Sequence, residues 1–252
     1  MLLFLAGLFA SGCASWPRAA VRPMPVVAST PAPTAPTLVV FLPGRGDSRE
    51  DFERQGMAAA LRAAGVRADW IATDAHLGYY LDRSIVNVLR EEVLRPARAR
   101  GYRRIVLVGI SLGGLGALLC VRDAPELVDG VVLIAPYLGD RAALFTEIDR
   151  AGGPAAWAEG RSGRQADVAA ELWTFLGQRH AGLPPTWLAA GEADRLAQGH
   201  RLLAPLLSPE RVRLAEGGHV WSVWRGLWTE LCARSDLFAA ERLPAPPSSG
   251  PI

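Results

Sequence analysis

The sequence contains no lysine: all 27 of its basic side chains are arginine, set against 25 acidic ones. An arginine-only basic set beside abundant alanine and glycine is a trait of composition, and no mechanism is attached to it. An excess of charge is also missing. The net charge is +2, and both surplus arginines, Arg18 and Arg22, precede the first acidic residue, Asp47. From residue 37 onward 25 basic residues face 25 acidic ones, so the body of the protein is neutral. A neutral body argues against nucleic acid as the main partner, because phosphate binding needs a basic face. Cysteine is scarce as well. The three present, Cys13, Cys120 and Cys232, have no spacing that would build a disulfide framework or a metal site. Cys120 and Cys232 fall inside apolar helical patterns and are expected as buried thiols. Half of the residues are hydrophobic and 21% are charged. That is enough to bury one sizeable core and too apolar for a disordered chain.

Residues 1–12 (MLLFLAGLFASG) form an uncharged apolar run. It is shorter than the roughly 20 residues that span a bilayer, and it matches the apolar core of an export signal. The run ends in Ala10-Ser11-Gly12-Cys13, which resembles a bacterial lipoprotein cleavage box. That resemblance implies Cys13 as the lipid attachment site and a membrane as partner, with a soluble exported protein as the alternative. Residues 14–36 hold six prolines. This favours extended chain over a packed element, so residues 13–36 are expected to be a tether between anchor and domain. The tail, residues 244–252 (PAPPSSGPI), is expected to be disordered.

Between them, short β-branched runs alternate with amphipathic helical segments. The pattern predicts strands over 38–42, 66–72, 105–108, 131–135, 186–190 and 212–215. Helices are predicted over 51–64, 81–98, 113–122, 200–207 and 220–240. Such alternation implies an α/β fold, a mostly parallel sheet of about six strands covered on both faces. One domain is expected over residues 37–243. Residues 137–183 have helical patterning and no strand, the mark of a helical lid inserted over the sheet. Ligands of such sheets lie beyond the carboxyl ends of the strands, and three of those ends carry reactive residues.

The first is Gly109-Ile110-Ser111-Leu112-Gly113, a G-x-S-x-G that follows a strand and opens a helix. The turn must be sharp enough to lift the Ser111 hydroxyl above the sheet, and side chains at 109 and 113 would collide with backbone. The second is Gly191-Glu192-Ala193-Asp194, and the third is Glu216-Gly217-Gly218-His219. Together these resemble the α/β-hydrolase superfamily, whose reactive residues run in the order Ser, Asp or Glu, His. The resemblance covers residues 37–240. It implies Ser111 as nucleophile, His219 as base and Asp194 as the acid that orients it. Glu192 and Asp140 stay open as other claimants to the acid role. The oxyanion hole it implies uses the backbone N–H of Leu112 and of Arg45, in the loop Pro43-Gly44-Arg45-Gly46-Asp47. Many relatives have His-Gly where this chain has Pro43-Gly44.

Asp74 and His76, after another strand, read better as a structural contact than as part of a site. Trp221, Trp224 and Trp228 share one helical face and read better as packing than as substrate contacts. His219-x-Trp221-x-x-Trp224 nonetheless resembles the ending of the feruloyl esterase, S-formylglutathione hydrolase and mycolyltransferase branch. In the lid, Val168, Leu172, Trp173, Phe175 and Leu176 are helically spaced and face either a pocket or the lid's own core. The expected activity is hydrolysis of carboxylic esters through an acyl-enzyme, with a small-molecule ester as substrate and no cofactor or metal. An acyltransferase using the same acyl-enzyme, or a surface lipoprotein that keeps the fold without the chemistry, are the alternatives.

Overall fold

The computed structural model describes residues 18–161, 167–234 and 236–242. Cys13, the apolar run before it and the tail 244–252 lie outside the described residues. Among those described, no helix is long and apolar enough to cross a membrane.

Seven strands form one sheet in the order β1-β3-β2-β4-β5-β6-β7. They are β1 (Val26–Ala28), β2 (Thr37–Leu42), β3 (Asp69–Thr73), β4 (Arg104–Ile110), β5 (Gly130–Ile134), β6 (Thr186–Gly191) and β7 (Val212–Ala215). All neighbours run parallel except β1, which pairs antiparallel with β3 in the register Val26 opposite Thr73. The helices are α1 (Asp51–Arg54), α2 (Met57–Ala63), α3 (Leu77–Leu81), α4 (Ile85–Val88), α5 (Arg95–Ala99) and α6 (Leu112–Asp123). After β5 come α7 (Ala142–Arg150), α8 (Pro154–Ala158) and α9 (Val168–Arg179), and then α10 (Ala197–Leu203) and α11 (Trp221–Arg234).

Alternation along each central strand splits the core into two layers. Leu38, Val40 and Leu42 of β2 face a layer shared with α4, α6 and the lid helices. Val39 and Phe41 face the other, closed by α1, α2 and α11. There Phe41 stacks on Phe52 with centroids 4.8 Å apart and takes the edges of Trp70 and Trp228. Aromatic pairs of this kind add about 0.5–1.5 kcal/mol each beyond burial.

The segment expected as a tether departs from that reading. Its residues from Arg18 onward lie along the sheet edge as a strap and supply the seventh strand. The Arg18 guanidinium meets both Asp74 oxygens at 3.2 Å, and Arg22 Nε meets Glu92 at 2.6 Å. Glu92 also accepts the Met24 N–H, and the Met24 side chain is buried. The two surplus arginines are therefore engaged by carboxylates of the domain. Proline does not prevent this, since an edge strand can spare an N–H.

Two predicted helices are also interrupted. The first divides between α1 and α2 at Gly56, whose φ is +77°. The second runs from α4 to α5 through a π-helical turn, Leu89–Leu94, just ahead of Pro96. A proline N that cannot donate, and a ring that crowds the carbonyl four residues back, favour this wider turn. The lid region 137–183 contains α7, α8 and α9 and no strand among the described residues. Leu172, Trp173 and Leu176 are fully buried, so they belong to the core, while Val168 and Phe175 are only partly covered. Cys120 and Cys232 are buried free thiols. Burial pushes the Cys120 thiol up to about 12, far from a reactive thiolate.

Candidate active site

Ser111 sits between the end of β4 and the start of α6 with φ +50° and ψ −112°, a strained setting for a residue with a side chain. Such strain costs about 1–3 kcal/mol and persists only where surroundings over-determine it. Here the Ser111 N–H donates to the Ile134 carbonyl at 2.9 Å. The Ser111 carbonyl accepts from Gly114 N–H at 2.9 Å and Tyr137 N–H at 2.8 Å. A Cβ on Gly109 would stand 2.3 Å from the Gly113 carbonyl oxygen, and one on Gly113 would stand 2.1 Å from that of Leu42. Both contacts are backbone and cannot give way, which is why both positions are glycine.

The ends of β6 and β7 bring the other two residues to this point. His219 Nε2 lies 3.0 Å from Ser111 Oγ. Its Nδ1 lies 3.0 and 2.9 Å from the two Asp194 oxygens. The Asp194 side chain is fully buried, and Oδ1 also accepts the Leu196 N–H at 2.8 Å. Burial would raise this carboxyl, but the hydrogen bonds from His219 and Leu196 outweigh it and hold Asp194 below the ordinary carboxylate range. Glu192 and Asp140, the other claimants, both expose their side chains. The backbone N–H of Glu192 is tied to the Ala215 carbonyl at 2.8 Å.

The first N–H groups of α6 have no partner within the helix, and Leu112 is the first helical residue after Ser111. The loop after β2 approaches from the other side. A Cβ on Gly44 would come 3.5 Å from Ser111 Cβ, which puts Arg45 next in the chain to that contact.

Two residues here were not singled out by the sequence. Asp47 accepts the Trp221 indole N–H at 3.1 Å beside Gly44. Burial pushes its carboxyl up, more than the Trp221 bond lowers it. His200 on α10 is buried, with Nε2 3.0 Å from the Pro136 carbonyl, and burial lowers its basicity. An acid directly after a Gly-Arg-Gly turn and a histidine in a helix give no local signal of such placement. The tryptophans do mainly pack: Trp224 and Trp228 are buried. Trp224 presents an edge-to-face contact to His219 at 4.9 Å, and Trp221 meets Trp224 at 5.3 Å.

Asp74 and His76 take no part in this cluster. Asp74 is held by Arg18 and, at 3.6 Å, by Arg49. His76 Nδ1 accepts the Gly78 N–H at 3.1 Å and so caps α3. The direct contact between the pair is through backbone, His76 N–H to the Asp74 carbonyl at 2.7 Å.

A hydroxyl on a strained turn, an imidazole on it and a buried carboxylate behind can move a proton off Ser111 Oγ as it attacks an electrophile. Residues 39–250 match the Alpha/beta hydrolase family. This chain belongs to that family. No curated protein matches it. Among solved structures, this alpha/beta hydrolase is similar to the S-formylglutathione hydrolase of Staphylococcus aureus, with TM-score 0.54 and 13% identity over 81% of this chain and 82% of that one. It is also similar to Est1E of Butyrivibrio proteoclasticus with ferulic acid bound, at 0.54 and 14% over 83% and 92% of the two chains. The monoacylglycerol lipase of Paleococcus ferrophilus matches at 0.50 and 17% over 83% and 98%. At these identities the likeness is one of fold.

Proposed function

We propose that this hydrolase cleaves carboxylic esters through an acyl-enzyme on Ser111. The observation that carries the reading is the continuous relay from Ser111 Oγ through His219 to buried Asp194, with contacts of 2.9–3.0 Å throughout. Ser111 Oγ attacks the ester carbon while His219 Nε2 takes its proton and then passes it to the departing alcohol. Water, deprotonated by the same nitrogen, releases the acid and frees Ser111. Asp194 keeps the proton of the neutral imidazole on Nδ1 and stabilises the imidazolium that forms in each half-reaction. The oxyanion of each tetrahedral intermediate is held by the N–H groups of Leu112 and Arg45, aided by the positive end of α6. The S-formylglutathione hydrolase and the monoacylglycerol lipase that share its fold agree with this chemistry.

The test is a fluorophosphonate probe on the folded chain together with short p-nitrophenyl esters. Labelling at Ser111 and ester turnover are expected, both abolished in Ser111→Ala. Folded protein that neither labels nor turns over would make the chain a binding module on a hydrolase fold. Added glycerol should yield mainly free acid; mainly glyceryl ester would make it an acyltransferase. The same protein is proposed to be lipid-anchored at Cys13. Cells given globomycin, or carrying Cys13→Ala, should then accumulate unprocessed precursor, and normal processing in both would refute the anchor.

A further inference from the structure

From Leu112, the residue after Ser111, a groove runs down the outer side of α6, bounded by α3 and α4 on one side and by α9 on the other. Its free volume is about 320 Å³, within the roughly 300–1,000 Å³ of small-molecule sites. The floor is a stripe of α6, Leu112, Leu115 and Leu119. Each keeps 6% of its surface exposed, while Ala117, Leu118 and Cys120 on the sheet side keep none. Leu81 and Val86 form one wall, and Val168 stands in the other. Leu81 is 63% exposed, the most exposed large apolar side chain among the described residues. The rim thus offers apolar surface to something outside the fold.

The upper end of the groove is lined by two residues that adjoin Ser111. Leu112 is the residue after Ser111, and Tyr137, which also lines the groove, donates its N–H to the Ser111 carbonyl. From Leu112 to Arg122 the helix rises about 15 Å. Arg122 at the far end is engaged by Asp123 at 2.7 Å and Glu171 at 3.3 Å, so it does not present a free cation. Arg83 lies on the exposed rim. A channel that begins at Leu112, next in the chain to Ser111, is floored by leucine and ends in a neutralised charge cluster suits an apolar chain better than an anionic group.

We infer that this groove seats the acyl chain of the ester, which makes the substrates esters of medium- to long-chain apolar acids. The inference rests on the serine hydrolase reading above. The strap bears on where such a chain comes from. The Arg18 carbonyl lies against Gly78 of α3, so closely that a Cβ there would stand 2.0 Å from it. Cys13 is five residues upstream, a reach of at most about 18 Å. A lipid on Cys13 would therefore keep the α3 rim of the groove close to a bilayer, whereas a soluble ester needs no such arrangement.

The experiment measures kcat/KM of the full chain for p-nitrophenyl esters from butanoate to dodecanoate, with fluorophosphonate labelling as control. Wild type should prefer dodecanoate by about tenfold or more, since each methylene that leaves water favours binding. Leu119→Trp, which fills the floor midway, should cut the dodecanoate-to-butanoate ratio about tenfold. Leu81→Asp, at an exposed position that does not burden folding, should cut it about threefold. Labelling at Ser111 with a ratio that is flat in wild type, or unchanged in both variants, overturns the groove and leaves the hydrolase standing. Failure to label overturns both. Offering the dodecanoyl ester as monomer and in phosphatidylglycerol vesicles separates the sources. Faster turnover in vesicles that Cys13→Ala removes identifies the bilayer, and equal rates identify a soluble ester. The groove requires the long-chain preference in either arm.

Discussion

On one flank of the sheet, β1 and the strap before it are held to β3, α3 and Glu92 largely by charges and hydrogen bonds. On the other, β6 and β7 are joined by backbone contacts so close that only glycine fits. The strap arginines stay half or more in solvent, Arg18 at 61% and Arg22 at 52%, so their pairs are screened and tolerate slack. At the other edge a Cβ on Gly191 would stand 2.3 Å from the Gly217 carbonyl oxygen. The Ala193 N–H donates to that same oxygen at 2.9 Å. These contacts tie the turn that carries Asp194 to the loop that carries His219. The difference fits the function proposed for this site. A relay across two hydrogen bonds fails when its members shift by an ångström, whereas a strap only has to cover an edge.

The largest effect should come from the glycine-built flank. Asp194→Asn keeps the shape of the acid but cannot hold the imidazole proton on Nδ1, and kcat should fall by about 10⁴-fold. Its pH signature is distinct. Because the folded carboxyl is held below its ordinary value, the stability it contributes is complete above about pH 4 and drains away as pH falls further. Acid titration followed by circular dichroism should show wild type losing more stability between about pH 4 and pH 2 than Asp194→Asn does. Equal losses would mean that the His219 and Leu196 hydrogen bonds do not favour the charged form.

On the strap the order of effects reverses. Met24→Ala empties a buried position and should cost about 2–4 kcal/mol in urea unfolding, with kcat unchanged. A fall in kcat that matches the loss of stability would erase the contrast between the flanks. The smallest effect belongs to Asp47, which bridges the loop after β2 to α11. Its raised carboxyl means that ionising it costs the folded state, a penalty that sets in as pH rises through the unfolded value of about 4. Asp47→Asn keeps an acceptor for the Trp221 N–H and should stabilise the protein by up to about 0.5 kcal/mol at pH 7. At pH 3 the gain should vanish, and a gain of equal size there would assign it to something other than charge.

The parallel sheet, the two helical layers and the inserted lid were legible because buried β-branched runs and 3.6-residue periodicity are local properties. The placement of Ser111 and His219 was legible for a related reason, since a turn that tolerates no Cβ writes its glycines beside the residue it presents. The acid was less so: Glu192 and Asp194 lie two residues apart on one turn, and sequence cannot say which carboxylate the turn buries. The seventh strand was hidden by its own composition. Six prolines in 23 residues read as extended chain, and the partner that makes this chain a strand is β3, about 45 residues away. The π-helical turn before Pro96 was hidden too, because its apolar spacing differs little from that of an ordinary helix.

By itself, then, the sequence determined the fold class, the elbow at Ser111 and the candidates for its partners, because each is dictated by steric limits within a few residues. The tertiary structure alone decided which acid faces His219, that Arg18 and Arg22 are engaged by the domain, and that a leucine-floored groove runs along α6 from Leu112. Those outcomes depend on surfaces contributed by segments far apart in the chain, whose distances are set only once the sheet and its two layers have closed.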